Sequence, residues 1–416
     1  MKRRTACALA ATLCSCLLIL GLSVFPGVPG RVDAASDEIV FAAVDDFSGP
    51  YASTGDELLK GWEIAFEEVN YKVLGKKIKF IKRDTQLKPA VGVRKFREVV
   101  EQEHPVLVGS GCSSAVQLAM EEVAGGTKTL FETGGWSSEI TAKGFVNRYT
   151  FRWPSSNFAI AHSSVDGFMK LFPKDKKFYF ITMDYAWGHD MAKEATAVIE
   201  RNGGKVIGNV LTPMNETDYS TAITKALAAK PDVIMLNQYG APLIKSARAV
   251  HEFGAKKKAK ILIPGDGLDM LRGIGHDAID GMYVGNHWYH TVNTPFTKKF
   301  VEKFQAKYKA IPSYYAILHY TMAKLTIQAI ERAKSTDPNK IIKQLEGFKY
   351  DGPTGKEEIR AFDHQVIHPY FLSVGKSPKE TKYDDDYLKV LSSAMVYPTY
   401  AQNPVVWDLK LPGDKK

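Results

Sequence analysis

Cysteine is scarce, and unevenly so. Of the four cysteines in 416 residues, Cys7, Cys14 and Cys16 fall within the first 34 positions. Beyond them only Cys112 remains, which excludes an intramolecular disulfide from that part of the chain. A fold without such staples must rest on its cores, and 45% hydrophobic residues suffice to build them. The short motifs of hydrolytic and metal chemistry are also missing: no G-x-S-x-G, no H-E-x-x-H, no paired metal-ligand spacing. His287-x-x-His290 comes nearest, but Trp288 and Tyr289 lie between the histidines and the stretch reads as a turn. No catalytic residue, metal or cofactor is expected. Tight charge clusters are few. Lys256-Lys257-Lys258 is the exception; without interleaved aromatics it reads as a solvated loop and argues against nucleic acid.

One long apolar run is present. Met1-Lys2-Arg3-Arg4 is basic, Ala6 to Phe25 is almost wholly apolar, and Val32-Asp33-Ala34 puts small residues at a cleavage site. The expectation is a Sec signal peptide over 1–34, hence a periplasmic protein, with a membrane anchor as the alternative. Its removal lowers the formal charge from +9 to +6.

The length favours two domains. Glu38–Val44 reads as a strand, Gly55–Val69 as an amphipathic helix, and Lys77–Ile81 as a strand. Single strands and single helices continue to alternate as far as Ile263. That pattern implies two α/β units, 36–155 and 156–285, each a parallel sheet covered by helices. Two further helices are expected over 295–308 and 314–332, and a strand over 366–374. The last 40 residues are polar and carry no clear pattern.

Val106–Gly109 ends a strand, and Ser114–Ala124 begins a helix. Ser114 and Gln117 fit a capping box. The helix N-terminus, Gly109, Gly111 and the Ser113 hydroxyl then form a cradle for a carboxylate or phosphate. An ordinary strand-to-helix turn is the alternative. Gly109-Ser-Gly111-Cys-Ser-Ser114 lacks the third glycine of a dinucleotide fingerprint.

Several stretches in order carry a family likeness: Phe47-Ser-Gly-Pro50 with Gly55, Gly111-Cys-Ser-Ser114, Glu139-Ile-Thr-Ala142, Trp187-Gly188, Asp218-Tyr-Ser220, Pro231-Asp-Val233 and Gly352-Pro-Thr-Gly355. Over about 38–375 the chain resembles periplasmic substrate-binding proteins of the leucine/isoleucine/valine-binding type, the receptors of ABC importers. The resemblance implies two doubly wound Rossmann-like lobes joined by three crossovers, the type I periplasmic binding protein fold. Lobe one would be 36–155 plus 286–365, and lobe two 156–285 plus 366–416. It also implies a monomer, a small-molecule ligand and importer permease subunits as partners.

The resemblance places Gly111, Cys112 and Ser113 at the ligand carboxylate and the Gly134 carbonyl at its ammonium. Trp136 stands where the family has a threonine, so it either stacks on an aromatic guest or packs under its loop. Trp187 and Tyr239 would cover the ligand, Tyr315 would wall it, and Tyr51 or Thr54 would supply the first loop's contact. Asp266 would pair the ammonium or else cap the helix at 268–272. Tyr185, Trp288 and Tyr289 are further candidates. The implied ligand is a hydrophobic or aromatic amino acid, with an aromatic carboxylic acid second. A periplasmic sensor serving a separate membrane receptor would share this pocket, and an exported enzyme is the rival from another class.

Overall fold

The computed structural model describes residues 37–141 and 147–396. The expected leader, Ala142 and the tail beyond 396 lie outside the described residues. Sixteen strands, numbered here in chain order, occur among those described. Strands β1 (Glu38–Asp45), β2 (Lys72–Val73), β3 (Lys76–Asp84), β4 (Leu107–Ser110), β5 (Phe131–Thr133) and β6 (Thr150–Arg152) make the first sheet, in the order β2-β3-β1-β4-β5-β6. All its pairings are parallel except β2 with β3. Seven of the eight residues of β1 are buried, because helices cover both faces of the sheet.

Strands β7 (Lys177–Met183), β8 (Lys205–Thr212), β9 (Val233–Asn237), β10 (Lys260–Ile263) and β11 (Tyr283–Asn286) form the parallel part of the second sheet. A small antiparallel sheet follows: β12 (Lys349–Gly352), β13 (Gly355–Ile359) and β14 (Val366–Ile367). Then β15 (Pro369–Gly375) and β16 (Leu388–Met395) return to the second sheet as an antiparallel pair beside β11. This gives two α/β lobes, each built on a largely parallel sheet, the arrangement that the resemblance implies.

The chain passes between the lobes after β6, after β11 and after β14. Following β11, the helix Tyr314–Ala333 packs on the helix Ala52–Glu67 so closely that a side chain at Gly61 would strike the Ala316 carbonyl. The three passages are tied together. Buried Arg152 donates from Nε to Gln365 Oε1 at 2.5 Å and from its other nitrogens to the Ser137 carbonyl and Thr141. Gln365 Nε2 donates to the Pro154 carbonyl at 2.8 Å, and the Ser155 N–H donates to His287 Nδ1 at 3.2 Å. Among the described residues no helix is long and apolar enough to cross a membrane.

Two expectations change. The strand expected over 366–374 breaks at His368 into β14 and β15, which belong to different sheets. The patternless tail contains β16. Most of its residues are exposed, so backbone pairing holds it at the sheet edge while leaving no alternation to read.

Candidate functional site

The carboxyl ends of the parallel strands face one another across the cleft, where open α/β sheets bind ligands. From lobe one, β4 ends at Ser110 and the helix Ser114–Thr127 starts four residues later. The N-cap of that helix is Ser113, not Ser114. Ser113 Oγ accepts the Val116 N–H at 3.3 Å. The capping box fails because Gln117 is taken elsewhere: its Oε1 accepts the Gly135 N–H at 2.7 Å and the Thr133 hydroxyl. Gln117 thereby fixes the next loop, 134–137, against the cradle. Gly134 sits so close to Gly111 that a side chain there would collide with the Gly111 carbonyl.

A cavity lies between the lobes, lined by Tyr51, Cys112, Trp136, Tyr185, Trp187, Tyr239 and Tyr315. Six of these seven are among the residues expected at the site, and Tyr185 was a further candidate. Ser113 stands at its edge, with Oγ 2.7 Å from the Tyr185 hydroxyl. The rings meet edge to face, the favoured arrangement for aromatic quadrupoles. Trp136 approaches Trp187 at 5.8 Å and Tyr239 at 4.8 Å, and Tyr51 approaches Tyr239 at 5.9 Å. Cys112 is a free thiol, held protonated by burial. The cavity is about 10 Å³, room for a water molecule and little more. The lobes are closed.

Trp136 packs between both lobes instead of lying under its own loop. Its Nε1 donates to the Tyr314 hydroxyl at 2.9 Å, and its ring lies 4.7 Å from His287. Thr54 is buried, but its hydroxyl donates back to the Tyr51 carbonyl at 2.7 Å and it does not line the cavity. Asp266 does not cap the helix Leu268–Ile274, whose N-cap is Gly267. Nor does Asp266 line the aromatic cavity. With Trp288, Tyr289 and Tyr314 it lines a neighbouring one.

The electrostatics are set by carboxylates that the motif reading passed over. Asp45 ends β1 and Asp46 follows it, directly behind the cradle. Burial raises Asp45; burial and then the charge of Asp45 push Asp46 up to about 7. Asp46 accepts the Thr85 hydroxyl, and the Ser110 hydroxyl donates to Asp45 at 3.4 Å. Deeper in lobe one, fully buried Glu132 and His319 pair at 2.7 Å. On the other side, burial raises Asp266 and Asp269, and Ser53 of lobe one donates to Asp269 across the cleft at 2.6 Å. Two acids in a row at a strand's carboxyl end were visible in the sequence; the Glu132–His319 pair, 187 residues apart, was not. Among the described residues no lysine or arginine lines the cavity, so hydroxyls, N–H groups and the helix dipole are the anion-binding groups at hand.

Residues 38–379 match the family model described as periplasmic binding protein. The chain is similar to Leu/Ile/Val-binding protein homolog 7 of Brucella abortus (strain 2308), at 28% identity over 80% of this chain and 90% of that one. It is also similar to the crystal structure of an amino acid ABC transporter substrate-binding protein from Pseudomonas fluorescens Pf-5. That match has 31% identity, a TM-score of 0.84, and covers 88% of this chain and 98% of that one. A more distant structure shares the fold: a solute-binding protein of an ABC transporter from Rhodopseudomonas palustris BisB5, in complex with 3,4-dihydroxybenzoic acid. There the identity is 21% and the TM-score 0.78, over 86% of this chain and 98% of that one.

Proposed function

The chain belongs to the periplasmic binding protein family, as a solute-binding protein of the ABC-transporter type, and from that premise we propose that it delivers a small carboxylate with an apolar or aromatic body to an importer. One observation carries this reading: an aromatic cavity between the lobes that ends on the Ser113 cradle. The guest binds lobe one first, its carboxylate on the Ser113 hydroxyl and the N-terminus of the helix Ser114–Thr127. Lobe two then closes over it with Trp187 and Tyr239. A buried carboxylate is costly unless fully hydrogen-bonded, so the cradle's donors set affinity. The closed cavity is smaller than any such guest, so entry requires the lobes to part. The closed lobe surfaces then present the guest to the permease subunits, and the receptor works as a monomer.

A hydrophobic or aromatic amino acid is the first reading. Asp266 and Asp269 stand on the lobe-two side, where an ammonium group would lie, and the Pseudomonas relative is described as an amino acid binder. An aromatic carboxylic acid is the second, favoured because Asp266 faces a different cavity from Trp136. A thermal-shift screen of the purified protein separates them, since a ligand held by the folded state alone raises Tm. Stabilisation by leucine or phenylalanine, and not by benzoates, supports the first. Stabilisation by benzoate or its hydroxylated forms alone supports the second. A Tm moved by no carboxylate would sink both.

A further inference from the structure

Tyr185 comes from lobe two, in extended backbone just before the helix Ala186–Arg201. Its hydroxyl crosses the cleft to the lobe-one cradle. The Ala115 N–H donates to it at 3.1 Å, and it lies 2.7 Å from Ser113 Oγ. Ser113 Oγ already accepts the Val116 N–H, which leaves the serine proton free to point at the phenol. The Tyr185 oxygen thus accepts the helix N-terminal N–H and shares a hydrogen bond with the serine hydroxyl, in which either oxygen can donate. A carboxylate oxygen of the guest would accept from both groups. Burial holds the phenol neutral.

We propose that Tyr185 is a specificity-determining residue: its hydroxyl occupies the cradle when the lobes close on each other and must be displaced by the guest's carboxylate. The proposal rests on the reading of the Ser113 loop as a carboxylate cradle. Its consequence is a filter. Hydrogen bonds to an ionised acceptor are about twice as strong as those to a neutral one. A carboxylate therefore displaces the phenol at a profit in hydrogen bonding. An amide or alcohol offers an acceptor no better than the phenol's own and gains nothing by exchange. Tyr185 would also hold the closed lobes together through the Ser113 contact, so that guest and tyrosine compete for one closed state.

The test uses the purified protein, Tyr185→Phe and Ser113→Ala. L-leucine, L-phenylalanine, benzoate and the amide of each are titrated by calorimetry. Small-angle scattering measures the lobe separation without additions. Tyr185→Phe keeps the ring and removes the oxygen. The expected result is a carboxylate bound about two- to tenfold more tightly, the worth of one ordinary hydrogen bond, with a smaller preference over its amide. The unliganded variant should also open, giving a larger radius of gyration. Weaker or unchanged carboxylate binding in Tyr185→Phe overturns the proposal, because the hydroxyl would then serve the guest or play no part. If Ser113→Ala leaves carboxylate affinity intact, the cradle reading itself is wrong. If no probe binds, that reading loses its ligands and scattering still decides: an unchanged radius of gyration in Tyr185→Phe rules out the tyrosine's hold on the closed form.

Discussion

The two walls of the cleft are built from different chemistry. The lobe-one wall adds polar, directional groups to its rings: a capped helix N-terminus, the Ser113 hydroxyl, and behind them Asp45, Asp46 and the Glu132–His319 pair. Rings line both walls, Tyr51, Trp136 and Tyr315 from lobe one against Tyr185, Trp187 and Tyr239 from lobe two, and among the described residues lobe two has no such cradle beside its rings. Trp187 and Tyr239 present faces and edges, and Tyr185 brings the one hydroxyl that reaches across to Ser113 and Ala115. The difference teaches a division of work. Hydrogen bonds need fixed geometry and so sit where the groups are locked by their own lobe. Ring contacts are tolerant of approach and so recur on both walls.

The comparison breaks hardest at the base of lobe one. His319→Leu leaves Glu132 buried without its partner, and unfolding by denaturant should show a loss of about 3–5 kcal/mol. A loss below about 1 kcal/mol would mean that the polar floor is not structural. Asp46 comes next. Its carboxyl is held at about 7, against 3.8 when unperturbed. The native state therefore binds more protons between those values than the unfolded chain does. Stability should fall as pH rises from about 4 to about 7, by on the order of 3 kcal/mol, and stay low above. Asp46→Asn should flatten that slope in denaturation series run at stepped pH; a slope unchanged in the variant assigns it to another group.

Ser113→Ala should weaken a carboxylate ligand by about 1–2 kcal/mol in calorimetry, and the lost N-cap should lower Tm without ligand by the equivalent of about 1 kcal/mol. The rings should yield least per substitution. Trp187→Leu keeps an apolar side chain and loses the edge-to-face contact with Trp136, which costs about 0.5–1.5 kcal/mol of binding. A larger loss from Trp187 than from Ser113 would reverse the division of work.

Much of this arrangement was legible. Alternating strand and helix patterns indicate parallel sheets, and the ordered motifs bring Tyr51, Trp136, Trp187, Tyr239 and Tyr315 to one place. The cap was not legible, because S-x-x-Q fits Ser114 and Gln117 while the helix begins one residue earlier in its capping. Only contacts from Gln117 to Thr133 and Gly135 decide that. Asp266 was ambiguous for a similar reason. A single glycine separates it from the next helix, so sequence could not say which cavity the carboxylate faces. The role of β16 was hidden because an edge strand with most side chains in water carries no hydrophobic period.

Trp136 has one more consequence. Its ring leans on His287, which stacks on Tyr314 at 4.7 Å and receives the Ser155 N–H. Those residues belong to the passages between the lobes. The central ring of the cavity is thus seated close to the segments that join the lobes. A guest that displaces it acts on a short lever arm, and the far rims of the lobes swing through a longer arc. On the proposed closure, the bulk of the guest sets the spacing of surfaces that never touch it.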